Sequence, residues 1–179
     1  MKFFIYLVTI TNISCIIEKD TKVEMNTVYG SIYIKLFVKE APTTSNNFLR
    51  YIDEHRYKDF HFYKTVTQPM SNFKIEVIQG GLSFEKHPLK IRSFPHETTN
   101  ATGIKHMNGT TSFARIEPGS ASSEVFICIN DQPELNYGGR RNIDGQGFAA
   151  FGIVIKGLNM VKVIHSLPEQ DQFLIKVVN

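Results

Sequence analysis

The chain is defined first by what it lacks. Its 179 residues include two cysteines, Cys15 and Cys128, which excludes the disulfide framework that staples small secreted domains. No apolar run reaches the roughly 20 residues that a membrane-spanning helix needs. Charge of one sign is not in excess. The formal net charge is +3, and the one adjacent basic pair, Arg140-Arg141, sits in a Gly-rich loop. A nucleic-acid binder would carry a basic stripe or a recognisable motif, so no nucleic-acid partner is expected. The familiar catalytic signatures G-x-S-x-G, H-E-x-x-H and C-x-x-C are also missing. His96-Glu97 with His106 is a loose cluster whose spacing fits no metal-ligand pattern. Gly145-Gln146-Gly147 has no strand-loop-helix context for phosphate. No metal and no cofactor are expected.

What is present is an ordinary globular composition, 42% hydrophobic and 21% charged, with enough chain for one domain around one sizeable core. The first residues stand apart. Lys2 precedes an apolar stretch from Phe3 to Ile10, then small and polar residues, then Glu18-Lys19-Asp20. That is the shape of a secretory leader over residues 1–20, with the domain over 21–179. Ser14-Cys15 also resembles a lipoprotein processing site, which makes Cys15 the candidate lipid anchor, although Asn12 is a poor fit to that pattern. The alternative is a first β-strand. Export, to a periplasm or as an anchored lipoprotein, is the expectation, with the mature chain starting between Cys15 and Asp20.

Val23 to Phe37 reads as a hairpin, with Ile32, Ile34 and Leu36 alternating against Ser31, Tyr33 and Lys35. Ala41-Pro42 starts a helix whose apolar side is Phe48, Leu49 and Ile52. Asp59 to Thr67 alternates again. Gln68 to Lys74 reads as a polar loop before a strand from Ile75 to Gln79 that ends at Gly80-Gly81. Phe84 to Lys105 and Asn130 to Gly147 read as long loops. A helix is expected from Asn159 to Leu167, stopped by Pro168, and a final strand from Phe173 to Val178. Many short strands with two helices argue for a closed antiparallel barrel.

The centre of the chain is Gly109 to Asn130, GTTSFARIEPGSASSEVFICIN. Two apolar runs flank a turn of small residues. The run Val125 to Ile129 suggests a strand covered on both faces. On these residues alone the stretch reads as a core hairpin.

GTTSFAR, SASSEVFICI and FAAFGIVIKGLNMVKVI, preceded in order by GSIYIKLF, APTTSNNFLRYI and VIQGG, resemble the cyclophilin family of peptidyl-prolyl cis-trans isomerases over about Val23 to Val178. KIEVIQGG, PHET and NDQPEL are closest to its bacterial-type branch. The resemblance implies an eight-stranded barrel with a helix closing each end. It also implies a groove that binds proline-containing peptides and unfolded protein clients, as a monomeric folding enzyme.

Prolyl isomerisation needs no nucleophile. The barrier, ~18–20 kcal/mol, is the loss of amide resonance, and a site lowers it by binding the twisted amide better than either planar form. The resemblance assigns Lys64, in Phe62-Tyr63-Lys64-Thr65, to the position of the family arginine, and Gln79 to the family glutamine. Val77, Phe113, Ala114, Phe126, Leu135 and Phe148 match positions around the proline slot, Arg115 a backbone contact, and Glu124 a second family glutamine. Glu76 and Glu134 replace a family phenylalanine and a family aromatic. Lysine lacks the planar fork of arginine, so a slow enzyme is implied, in a groove made more acidic by Glu76 and Glu124. The missing indole at Glu134 argues against tight binding of cyclosporin-type inhibitors. Two other classes stay open: a proline-peptide binding module with little turnover, and a holdase chaperone.

Overall fold

The structure, a computed structural model, describes residues 21–168 except 68, 71–72 and 84–85. The expected leader with Cys15 and the strand expected over Phe173–Val178 lie outside the described residues. The elements in order are β1 (Lys22–Thr27), β2 (Gly30–Leu36), α1 (Pro42–Asp53), β3 (His61–Val66), β4 (Pro69–Met70), β5 (Phe73–Lys74) and β6 (Val77–Gly81). They continue with α2 (Thr99–Thr102), β7 (Thr110–Phe113), β8 (Val125–Cys128), β9 (Ala149–Lys156) and α3 (Leu158–Ser166).

The expected hairpin is β1 and β2, with Met25 opposite Ile32 and Val23 opposite Ile34. Alternation places Ile32, Ile34 and Leu36 inside. Thr27 locks the turn: its hydroxyl donates to the Gly30 carbonyl at 2.8 Å and accepts from the Tyr29 N–H at 3.1 Å.

Pro42 opens α1 as expected, but Ala41 supplies no side-chain cap. Glu97 does so from a distant loop. Its carboxylate accepts from the Thr43 N–H at 3.1 Å and the Thr44 N–H at 2.7 Å. A carboxylate there satisfies orphan donors and meets the positive end of the helix dipole. Glu97 is thus a helix cap. The other members of the loose cluster turn elsewhere: His96 to the Gln146 carbonyl, and His106 to Asn136 and Ser112. The buried side of α1 is also more polar than its apolar spacing suggests. Thr44, Ser45 and Asn47 are buried beside Phe48 and Tyr51, with Asn47 donating to the Ser122 carbonyl at 2.9 Å.

Seven strands form one curled antiparallel sheet in the order β1-β2-β9-β7-β8-β6-β3. Its outermost strands among the described residues are β1 and β3, so closure into an eight-stranded barrel is not seen there. The protein is mainly β with few helices; α1 packs on β9 and α3 on β2 and β6.

Three boundaries differ from expectation. The stretch 68–74 is not a plain loop, because β4 and β5 pair as a small ribbon. The strand expected over Ile75–Gln79 starts at Val77 and runs through both glycines. At Gly80 a Cβ would lie 2.7 Å from the His61 carbonyl and 2.9 Å from the Phe62 ring, so the glycine lets β3 and β6 close up. The stretch 84–105 contains α2 and buries Phe94 against Phe113 with ring centroids 5.0 Å apart.

β8 runs between two apolar clusters. Val125 and Ile127 face the main one, where Phe48, Phe113 and Phe151 interlock at centroid distances of 4.9 to 6.4 Å. Phe126 and Cys128 face the other, with Ile75, Val77, Ala114, Leu135 and Phe148. The Cys128 thiol is free and fully buried. Burial pushes its pKa up, which makes it inert in the folded state.

Candidate active site

The second cluster is the floor of an open cavity of about 280 Å³. β6 contributes Val77 and Gln79, two residues apart and therefore on one face. β8 contributes Phe126, and the residue after β7 is Ala114. Leu135 and Phe148 enter from the two ends of the loop 130–147. The Phe126 and Phe148 rings meet edge to face at 5.3 Å, and His106 stacks under Phe126 at 5.9 Å. These rings form a rigid apolar slot.

His106 fixes the underside. It is 1% exposed, and desolvation lowers its pKa to about 4. Its Nδ1 lies 2.9 Å from the Asn136 amide oxygen, which can only accept, so Nδ1 carries the proton. Nε2 then accepts from the Ser112 hydroxyl at 3.0 Å.

Lys64 and Gln79 are direct partners across β3 and β6. Both line the cavity, Lys64 at its exposed rim. The register shifts between Phe62 and Lys64, and the Tyr63 side chain reaches inward from that bulge. Its hydroxyl donates to Glu124 Oε2 at 2.5 Å and accepts from Gln79 Nε2 at 2.8 Å. The directions are forced, because a carboxylate only accepts. Tyr63 must donate to it, its free lone pair takes the Gln79 NH₂, and the Gln79 carbonyl oxygen is left for the groove. Burial raises the Tyr63 pKa first, then the Glu124 charge, so the phenol keeps its proton. Ser123 donates to the other Glu124 oxygen at 2.6 Å, and the Lys90 ammonium lies 3.7 Å from it. Gly81, at φ +150°, makes room: a Cβ there would sit 2.5 Å from Glu124 Oε2.

Arg115 is 1% exposed at its side chain and forks onto Asp144 with two bonds of 2.8 Å. Its Nε donates to the Gly147 carbonyl at 2.7 Å. The guanidinium holds the Asp144 carboxyl down to about 2 and lies over the Phe148 ring. At the rim, Glu134 chelates Arg140, which lies over Phe73 from β5 at 4.8 Å.

Eight of the ten residues assigned to the site therefore line one cavity: Lys64, Val77, Gln79, Ala114, Arg115, Phe126, Leu135 and Phe148. Two do not. Phe113 pairs with Val125, points with it into the main core and is fully buried. Glu124 lies behind Gln79 and is itself buried. The expectation of an acidic groove is corrected as well. Glu76 alternates away from Val77 and pairs with Lys74 at 2.7 Å. Val66, Ile75, Ile116, Arg141 and Asn142 complete the lining and were not anticipated. Alternation with Val77 could have revealed Ile75; the loop residues carry no periodic signal.

Fold and site together define a mainly β protein with an open, aromatic-floored groove, a cation beside an amide at its rim, and no cluster of metal-ligating side chains among the described residues. Residues 22–178 match the family model described as cyclophilin type peptidyl-prolyl cis-trans isomerase/CLD, and the chain belongs to that family. It is 33% identical over 150 residues to a peptidyl-prolyl cis-trans isomerase of Acinetobacter baylyi, spanning 83% of this chain and 74% of that protein. It is 32% identical over 143 residues to peptidyl-prolyl cis-trans isomerase B of Escherichia coli, spanning 79% of this chain and 82% of that protein. A Cryptosporidium parvum cyclophilin superposes with a TM-score of 0.67 at 21% identity, covering 90% of this chain and 92% of that one. Its structure in the presence of the dipeptide Ala-Pro gives 0.64 at 23% identity, covering 89% of this chain and 92% of that one.

Proposed function

We propose that the chain is a peptidyl-prolyl cis-trans isomerase that acts slowly on X-Pro bonds of peptides and folding proteins. The observation that carries this reading is the pairing of Lys64 with Gln79 at the rim of the Phe126–Phe148 slot. The slot takes the proline ring. The Lys64 ammonium donates toward the proline nitrogen as it becomes pyramidal, which favours the twisted amide over both planar forms. The Gln79 carbonyl oxygen accepts from a substrate N–H or from Lys64 itself. A named relative with Ala-Pro supports a proline-bearing ligand.

The rate is low because an ammonium is a hydrated point charge that cannot engage Gln79 and substrate through one planar face. The test is Lys64→Arg and Lys64→Ala in an isomerisation assay on an X-Pro peptide. Arginine should raise turnover and alanine lower it, each about tenfold, or ~1.4 kcal/mol of barrier. Equal rates for all three proteins would move the reading to a binding module with little turnover, which the loss of the fork favours. Aggregation suppression that survives a blocked groove would favour a holdase.

Two further parts of the proposal lie outside the described residues. The sheet closes into an eight-stranded barrel, and the chain is exported after cleavage between Cys15 and Asp20. Native protein retaining Met1 at its N-terminus would refute export.

A further inference from the structure

The charges around the groove do not cancel. Three carboxylates near the rim are held by basic partners: Glu76 by Lys74, Glu134 by Arg140 and Asp144 by Arg115. The lining itself contains Lys64, Arg115 and Arg141 and no carboxylate. Arg115 is spent on Asp144 and Gly147. Lys64 and Arg141 remain, and neither has an ion-pair partner among the described residues. They come from different segments, Lys64 from β3 and Arg141 from the loop 130–147.

We infer that the groove selects peptides with an anionic side chain, carboxylate or phosphate, next to the proline, and that Arg141 determines this preference. The inference rests on the prolyl-isomerase reading of the site and names its substrate class. If Lys64 is engaged at the proline nitrogen, Arg141 is the cation left for a neighbouring residue. A guanidinium matches carboxylate and phosphate with paired donors. The walls beneath it are apolar, so the attraction is less screened than on open surface. A lysine or arginine at the same substrate position meets two like charges and is disfavoured.

The experiment uses the full chain and five proline peptides. Three are identical but for Ala, Glu or Lys before the proline; two carry Ser or phosphoserine there. Chemical-shift titration gives Kd and exchange spectroscopy gives the isomerisation rate. In the parent protein the Glu peptide should bind about fivefold tighter than the Ala peptide, the scale of one partly exposed ion pair, and the Lys peptide weaker than both. The gap should shrink at high salt. Phosphoserine against serine tells which anion is preferred. In Arg141→Gln the Glu-to-Ala gap should collapse. Equal Kd across Ala, Glu and Lys in the parent, or an unchanged gap in Arg141→Gln, overturns the inference. Catalysis of no peptide in the series would refute the isomerase reading alone, because the Kd ladder still decides the anion preference.

Discussion

The two faces of β8 are made of the same kinds of residue and do different things. On one, Val125 and Ile127 join a cluster of interlocked aromatic rings closed on every side. On the other, Phe126 meets Phe148 and Leu135 at the floor of a groove. What separates them is the cover. The main cluster is roofed by α1 and by Phe94; the second is covered by the loop 130–147, which is held by the Arg115–Asp144 fork and by bonds between Arg115 and Gly147, His96 and Gln146, and Tyr137 and Thr99. Apolar character builds both faces. The opening for a ligand lies where the cover is a hydrogen-bonded loop instead of a packed helix.

That contrast can be broken in steps. The largest effect should come from Phe113→Ala, which removes a ring packed on three others and costs about 4 kcal/mol by chemical denaturation. Phe113→Leu, which keeps the domain folded, should leave peptide Kd within twofold. A tenfold loss would put Phe113 in the site after all. Phe126→Ala comes next, at about 3 kcal/mol because the groove side can partly collapse, and it should weaken peptide binding at least tenfold. Normal melting with normal binding would mean that Phe126 is neither floor nor core.

The third step is pH. His106 has its folded pKa lowered to about 4, below the ordinary value near 6.5. The unfolded chain therefore takes up the proton first, and stability is lost as pH falls from about 6.5 toward 4. About 2 kcal/mol should go between pH 7 and pH 4.5, and His106→Gln should remove most of that slope. An unchanged slope would show that His106 is not its source. The smallest effect should be Tyr63→Phe. Without the hydroxyl, Gln79 loses the partner that sets its amide, and kcat should fall about fivefold, ~1 kcal/mol, with KM little changed. A matching change in KM alone would point to substrate binding instead of amide orientation.

Much of this arrangement was legible in the chain. Alternation gave β2, and Pro42 gave the start of α1. The Val125–Ile129 run correctly implied a strand buried on both faces. The resemblance placed Val77 and Gln79 in the groove, and alternation explains why they share a face; the same alternation turns Glu76 away, which the expectation of an acidic groove overlooked. Phe113 was not legible, because its side is set by pairing with Val125, and register cannot be read from one strand. Glu124 was misplaced for a related reason. Its burial depends on the bulge that swings Tyr63 inward and on the space at Gly81. Arg141 and Asn142 lie in irregular backbone, where no period links sequence to direction. Thr44, Ser45 and Asn47 were passed over because polar residues become core only when distant partners such as Glu97 satisfy them.

Cys128 lies on the groove face of β8, yet it is sealed from solvent. Its thiol can be alkylated only when that strand opens. Labelling of Cys128, read by peptide mass apart from Cys15, therefore works as a clock that counts openings of the site's floor. A peptide that occupies the slot binds only the closed form, so it should slow the clock in proportion to its occupancy. Ligands could then be ranked by the time taken to modify the Cys128 sulfur, with no isomerisation measured at all.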